Sequence, residues 1–180
     1  MIGGAALALG SFFQVIDPSF GPNGEFVDPF GGRMVLVTLA LVAMPGVFFT
    51  QYAFHRLGAA GGGSLSRIIL GIGGVGCLFV AVPSLVSALT LTNQGLQIVG
   101  QVLTMMVAPV LWGLAALRAR RVALWKRVWP TLTGFWPPLI AIVAVPAGFP
   151  AFAVPGLAGI CWMVFGYAAW SEAGRPPASR

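Results

Sequence analysis

The sequence predicts an all-α fold, a polytopic transmembrane helical bundle with six spans and both termini in the cytoplasm. Of its 180 residues, 58% are hydrophobic and only 8% are charged, whereas a soluble domain carries about 25% charged residues. Uncharged apolar runs cover Met34–Phe54, Ile68–Leu117 and Val128–Ser171, and each reaches the roughly 20 residues needed to cross a bilayer. The two longer runs can each hold a pair of spans. We therefore expect one membrane domain over residues 1–171 and a cytoplasmic tail over 172–180.

The charged residues are segregated along the chain. Three of the four acidic residues share the segment Asp17–Arg33, while nine of the ten basic residues fall in three other segments. These nine are Arg56, Arg67, Arg118, Arg120, Arg121, Lys126, Arg127, Arg175 and Arg180. Because basic loops are retained in the cytoplasm, this pattern places Asp17–Arg33 outside, and only an even number of spans keeps the basic segments together. Membrane orientation and anionic lipid thus explain the net charge of +6 without nucleic acid.

The spans are predicted in order at residues 1–16, 34–54, 67–89, 95–117, 129–145 and 152–170. The first is short for a bilayer at about 1.5 Å per residue. A cleaved signal peptide is the disfavoured alternative, because the chain lacks a basic start. The Pro- and Gly-rich Asp17–Arg33 segment is predicted as a loop, and Leu57–Ser66 as a flexible one. The short turn Thr90–Gln94 predicts that spans three and four are antiparallel neighbours.

Apart from Arg67, which begins span three at the membrane edge, the predicted spans contain no Asp, Glu, Lys, Arg or His, so the membrane interior holds no ionisable group of these types. This composition argues against a proton-coupled pump and against acid–base catalysis within the bilayer, so the sequence predicts a protein that is not an enzyme. Cys77 and Cys161 lie in mid-span without metal-ligand neighbours, so we expect packing roles and no metal site. His55 ends span two and is predicted to be interfacial. A pigment or haem ligand is the alternative role, with the cofactor held partly by another chain.

Uncharged polar side chains form the most distinctive pattern inside the spans. Four of them are spaced by three, four and three residues in span four, which predicts one helix face: Gln94, Gln97, Gln101 and Thr104. Ser84 and Ser87 follow one face of span three, and Gln51 is a further polar residue of span two. Buried amides are costly unless they are paired. We favour interhelical hydrogen bonding between spans three and four, and the lining of an outward-facing polar pocket is the alternative.

Two further motifs concern contacts rather than chemistry. Gly71, Gly73, Gly74 and Gly76 match a dinucleotide-binding pattern, but they lie inside a span and not after a strand, so close helix packing is predicted. Five basic residues interleave with Trp125 and Trp129 in the fourth connection: Arg118, Arg120, Arg121, Lys126 and Arg127. This pattern favours a short interfacial helix on anionic lipid, and docking to an acidic partner subunit is the alternative.

The Gly71–Cys77 stretch, the Arg118–Arg127 loop and the overall length resemble uncharacterised six-helix bacterial membrane proteins of the domain-of-unknown-function type. This resemblance implies a bacterial plasma-membrane location and no particular activity. In size and span count the chain is also similar to the vitamin-binding subunits of energy-coupling uptake transporters, which dock through small-residue helix faces. The small residues of Met1–Gly10 are compatible with such docking.

Two hypotheses on function follow. The first is a non-enzymatic accessory or structural subunit of a larger respiratory or photosynthetic membrane complex, packing against partner helices, lipid or pigment. The second is a protein that binds or transports a small, mostly neutral solute through a pocket lined by Ser87, Gln94, Gln97 and Gln101. An intramembrane enzyme is disfavoured because the spans lack ionisable groups.

Overall fold

The computed structural model describes residues 1–16, 27–61, 63–91, 95–144, 146–147 and 153–173. Within these residues every regular element is a helix. The helices are α1 (Ile2–Ile16), α2 (Pro29–Arg56), α3 (Ser64–Thr90), α4 (Leu96–Ala119), α5 (Leu124–Ala144) and α6 (Ala153–Ala173). The predicted all-α class is confirmed for this part of the chain.

Three of these helices are long and apolar enough to cross a membrane, namely α2, α3 and α4. The apolar part of α1 is shorter, at Ile2–Phe12. Their length and composition are those of a membrane protein, as the sequence predicts. The six-span topology and the sidedness of the termini remain predictions.

The ends of several helices differ from the predicted spans. Pro29 begins α2 five residues before the predicted span, because Asp28 caps the helix by accepting hydrogen bonds from the backbone N–H groups of Phe30 (3.0 Å) and Gly31 (2.8 Å). The predicted cytoplasmic tail begins later than expected, since α6 continues to Ala173. No separate interfacial helix forms among the described residues of Arg118–Val128, where α4 and α5 extend toward each other instead.

The helices pack in chain order and α1 packs on α6, so the bundle closes into a ring. The basic connections meet at one end of this ring. A Cβ atom built on Gly58, which follows α2, would lie 3.5 Å from the guanidinium of Arg121, which follows α4. At the same end Lys126, near the start of α5, contacts Glu172 at the end of α6. The charge segregation along the sequence therefore becomes a basic end of the bundle.

Two helices contain a π-helical turn directly ahead of a proline. Leu39–Ala43 of α2 precedes Pro45, and Val102–Val107 of α4 precedes Pro109. After each turn a backbone N–H donates to the carbonyl five residues earlier. Proline has no N–H, and its ring clashes with the carbonyl four residues back, which here lies inside the π turn. The wider turn relieves this clash and changes the direction of the side chains that follow.

Glycines bring the backbones of neighbouring helices together on both sides of α1. A Cβ built on Gly4 would lie 2.5 Å from the carbonyl oxygen of Gly159 in α6, and one built on Gly3 would lie 2.6 Å from the backbone nitrogen of Val47 in α2. Close approach of this kind drives helix association where lipid supplies no hydrophobic difference. The small residues Gly3 and Gly4, compatible with docking on a partner, are therefore used within the chain.

Aromatic side chains fill the centre of the ring. Trp112 of α4 meets the edge of Phe54 in α2 with ring centroids 5.7 Å apart, and Phe54 meets Phe165 of α6 at 5.1 Å. Trp162 lies 5.3 Å from Phe165 and extends the group. All four side chains are fully buried. Edge-on aromatic pairs of this type add about 0.5–1.5 kcal/mol each beyond their area, so the core ties α2, α4 and α6 together.

Candidate functional site: polar groups between helices two, three and four

Gln51 lies in the bundle interior with no exposed surface. Trp112 donates from its indole nitrogen to Gln51 Oε1 at 3.2 Å. The amide lies directly against Gly73 of α3, where a built Cβ would overlap Oε1 and lie 2.7 Å from Cδ. Because the indole donor must face the amide oxygen, Gln51 Nε2 points elsewhere. It has no hydrogen-bond partner in the described part of the chain.

Thr104 extends this polar group along α3. Its buried hydroxyl donates to the carbonyl of Gly73 at 3.3 Å and lies 3.8 Å from the sulfur of Cys77. A Cβ on Gly76 would overlap the same hydroxyl. The four residues thus join α3 and α4 through small side chains and one interhelical hydrogen bond. Cys77 is a buried packing residue here, as its sequence context predicts.

The predicted polar stripes of α3 and α4 meet through one direct hydrogen bond. Gln97 Nε2 donates to Ser84 Oγ at 3.0 Å, and this hydroxyl donates onward to the carbonyl of Val80 at 2.6 Å. Ser87, one turn farther along α3, is buried, and its hydroxyl has no partner within the described residues. The arrangement matches the interhelical bonding that the sequence favours.

The α4 stripe does not stay on one face. Thr104 is fully buried, Gln97 is half-buried and Gln101 is exposed, while Gln94 lies outside the described residues. The π turn that starts at residue 102 contributes to this, because its larger number of residues per turn rotates Thr104 relative to the face that ordinary helical spacing assigns. Gln101, which precedes the π turn, is exposed, and Ser84 bonds Gln97 instead.

His55 lies one helical turn beyond Gln51 and is half-buried. Its ring centroid is 6.3 Å from that of Trp112. Its Nδ1 is buried and has no hydrogen-bond partner among the described residues. The structure thus places the imidazole, half-buried at the end of α2, next to the indole that bonds the Gln51 amide.

Three of the four predicted packing glycines of α3 contact neighbouring helices. Gly73 adjoins Gln51, Gly76 adjoins Thr104, and a Cβ on Gly74 would lie 3.2 Å from the Phe48 ring. Gly71 differs, because a Cβ there would meet nothing within 4 Å. It belongs to the outer surface of the bundle.

The predicted basic contact residues separate into two groups. Arg118, Arg120 and Arg121 are exposed, and Arg127 is half-buried with its Nε bonded to the carbonyl of Val122. Lys126 is only 2% exposed. It forms an ion pair with Glu172 at 2.7 Å and donates to Ser171 Oγ at 2.6 Å. Lys126 therefore holds α5 to α6 and is not available to lipid head groups.

The chemistry of the site is that of neutral hydrogen-bonding groups. Amide, hydroxyl, indole and imidazole groups line it, and no cluster of three metal-ligating side chains occurs in the residues that the structure describes. Sequence reasoning named Gln51 only as an additional polar residue. It missed Trp112, because an aromatic residue in an apolar run gives no sign of a polar partner.

Comparison with known proteins gave no match to a family model, to a curated protein or to a solved structure. The resemblance to six-helix bacterial membrane proteins therefore remains a prediction.

Proposed function

We propose that the chain is a non-enzymatic six-span protein of the bacterial plasma membrane that acts as an accessory or structural subunit of a larger membrane complex. The proposal rests on the outer face of α3, which is the side of this helix that points away from the other helices of the bundle. Its outward-facing residues follow a seven-residue pattern, which is the spacing used for sustained helix–helix contact. A partner helix, in this proposal, lies along this face.

The outer face of α3 consists of exposed apolar residues spaced alternately by three and four as far as residue 82, with one more a further seven residues on. Its members are Ile68, Gly71, Val75, Leu78, Val82 and Leu89. Ile or Val occupies three of the four positions that repeat every seven residues from Ile68, and because such β-branched side chains already hold one χ1 rotamer in a helix, they lose little further freedom when a second helix packs on them. Neighbouring helices in transmembrane bundles cross at an angle of about 20°, as helices in coiled coils do. The spacing therefore suits a second helix over the whole length of α3.

Contact with lipid does not account for the presence of a glycine at position 71 of this face. It is exposed and its missing side chain faces open space, whereas Gly73 and Gly76 face helices of the same chain. A glycine in a helix interior costs about 1 kcal/mol relative to alanine. Close approach of a partner backbone would compensate for this cost.

The basic end supplies a second contact. Within the described residues Glu172 pairs with Lys126, and this leaves the guanidinium groups of Arg118, Arg120 and Arg121 exposed at the same end. Anionic lipid attracts such residues by about 1 kcal/mol each near the surface. An acidic partner loop would use the same charges.

The test is native purification of the tagged chain with the mild detergent kept above its critical concentration, followed by quantitative identification of co-purifying chains and visible absorption for pigment. Gly71→Leu should remove the partner from α3. Gly10→Leu is the matched control, because a Cβ on Gly10 also meets nothing within 4 Å. Stoichiometric partner chains that are lost with Gly71→Leu and kept with Gly10→Leu support the proposal. A monodisperse wild-type monomer without partner or pigment contradicts it.

Binding of a small neutral solute between α3 and α4 is the second candidate, favoured by the buried Ser87 hydroxyl, which has no partner among the described residues and lies one helical turn from the Ser84–Gln97 pair. Solute binding by the purified monomer should weaken at least tenfold in Ser87→Ala and Gln97→Ala. Gln101→Ala is the control, since Gln101 is exposed and apart from the pair. Equal binding by all three variants would refute this assignment.

A further inference from the structure

We propose that Gln51 and His55 together bind one hydroxyl oxygen, belonging to a water molecule or to an alcohol group, beside the indole of Trp112. This site lies within the bundle and does not depend on a partner along α3. It is carried by two buried polar atoms, Gln51 Nε2 and His55 Nδ1, on side chains that lie on adjacent turns of α2 and both contact Trp112.

The two side chains lie on one face of α2. They are four residues apart, so their Cβ atoms are about 5–6 Å from each other. Both contact Trp112 of α4. Gln51 accepts the hydrogen bond of the indole, and the ring centroid of His55 lies 6.3 Å from that of Trp112. Gln51 Nε2 and His55 Nδ1 are buried, and neither has a partner among the described residues. One oxygen atom placed between them would satisfy both.

The orientation of the amide follows from its other contacts. Trp112 can only donate, so the oxygen of Gln51 faces the indole and the amide nitrogen faces away from it. The backbone at Gly73 closes the second side of the amide, since even a Cβ would overlap it there. Gln51 therefore offers an N–H donor in a fixed direction.

These two groups select the chemistry of the ligand. An N–H donor repels a cation, and among the described residues no guanidinium or ammonium group is bonded to either side chain to hold an anion. A hydroxyl oxygen accepts from Gln51 Nε2 and donates its own proton to His55 Nδ1. His55 then carries its proton on Nε2. Because His55 is half-buried at the end of α2, the hydroxyl group can enter from the basic end of the bundle.

His55 is the single histidine of the chain, so ¹⁵N-histidine labelling of the full-length protein gives one pair of ring signals. In deuterated detergent, we expect the Nε2–H tautomer, an Nδ1 signal typical of a hydrogen-bond acceptor, and cross-relaxation from a hydroxyl proton to the ring. Gln51→Met should shift Nδ1 toward the position of an unbonded nitrogen. Gln101→Met, at an exposed glutamine, should leave it unchanged.

The source of the hydroxyl is distinguished by removing lipid. A signal that persists after delipidation identifies water, and one that is lost on delipidation identifies an alcohol group of a lipid or solute; either signal should disappear in D₂O, because both kinds of hydroxyl proton exchange. The proposal is overturned by an Nδ1–H tautomer, or by a folded wild type without hydroxyl cross-relaxation to His55. The wild-type measurement decides the question even where Gln51→Met does not fold.

Discussion

Lys126→Met should destabilise the bundle through Glu172 rather than through lost lipid contact. The ammonium group lies 2.7 Å from Glu172 Oε1, 2.6 Å from Ser171 Oγ and 5.2 Å from the Trp125 ring centre. The lysine is 2% exposed and the glutamate side chain 14% exposed. Its replacement by methionine keeps the volume but removes the ammonium group from the Glu172 carboxylate.

The size of the effect follows from this burial. Removal of one partner of a buried ion pair costs about 3–5 kcal/mol. Because Glu172 keeps some exposure at a helix end, we expect about 3 kcal/mol for Lys126→Met. Glu172→Gln should cost a similar amount, about 3 kcal/mol, since it leaves the more deeply buried ammonium without its counter-charge, although the amide oxygen still accepts from Lys126 Nζ. The double variant should be more stable than the sum of the two changes predicts, with a coupling free energy of about 1–3 kcal/mol.

The assay is reversible unfolding of the purified chain in mixed micelles, with increasing mole fraction of SDS, followed by far-UV circular dichroism. Arg118→Met is the control, because Arg118 is exposed at the same end, and its change should stay within about 0.5 kcal/mol. Strictly additive free energies for Lys126→Met and Glu172→Gln would refute the ion-pair reasoning. Equal losses for Lys126→Met and Arg118→Met would indicate lipid contact instead.

Three further outcomes are expected. Gly159→Ala should lower the free energy of unfolding by about 1–3 kcal/mol, since its Cβ would lie 2.6 Å from the backbone of α1, whereas Gly10→Ala should not. Trp112→Phe should cost about 1–3 kcal/mol in the same assay by leaving the buried amide oxygen of Gln51 unpaired, and a cost below about 0.5 kcal/mol would contradict that role. Single cysteines at residues 19 and 64 should react with an impermeant thiol reagent from opposite sides of the membrane, and labelling from one side would refute the six-span topology.

The helices were predictable because their signals are long and redundant. Charge-free runs mark α2, α3 and α4 over many residues, and one misread position changes little. Their ends were less predictable, because a single local group decides them. The sequence around Asp28 predicts a Pro- and Gly-rich loop. In the structure the Asp28 side chain accepts two hydrogen bonds from the following backbone, so this residue is the N-cap of α2.

The polar site was only partly predictable, because helical spacing assumes a uniform helix. The pairing of Ser84 with Gln97 follows from the stripes on α3 and α4. The separation of Gln101 from Thr104 does not, since it depends on a π turn ahead of Pro109. A proline inside a span indicates a local break, but not which residues change face. Contacts such as Trp112 with Gln51 join positions far apart in the chain, so no local pattern reveals them.

Gly71 and Gly73 show why neighbouring positions of one motif carry different roles. In a membrane the surrounding lipid is as apolar as the core, so polar groups and close backbone contacts determine which side of a helix faces inward. Two residues along a helix correspond to nearly opposite faces. Gly73 lies against the buried amide of Gln51, and Gly71 faces outward with open space. A side chain at residue 73 must therefore displace Gln51 and disturb Trp112, whereas one at residue 71 changes only what lies outside α3. This division of faces requires that a side chain at residue 71 removes the partner and leaves the stability of the chain unchanged. A side chain at residue 73 should lower the stability and leave partner binding unchanged.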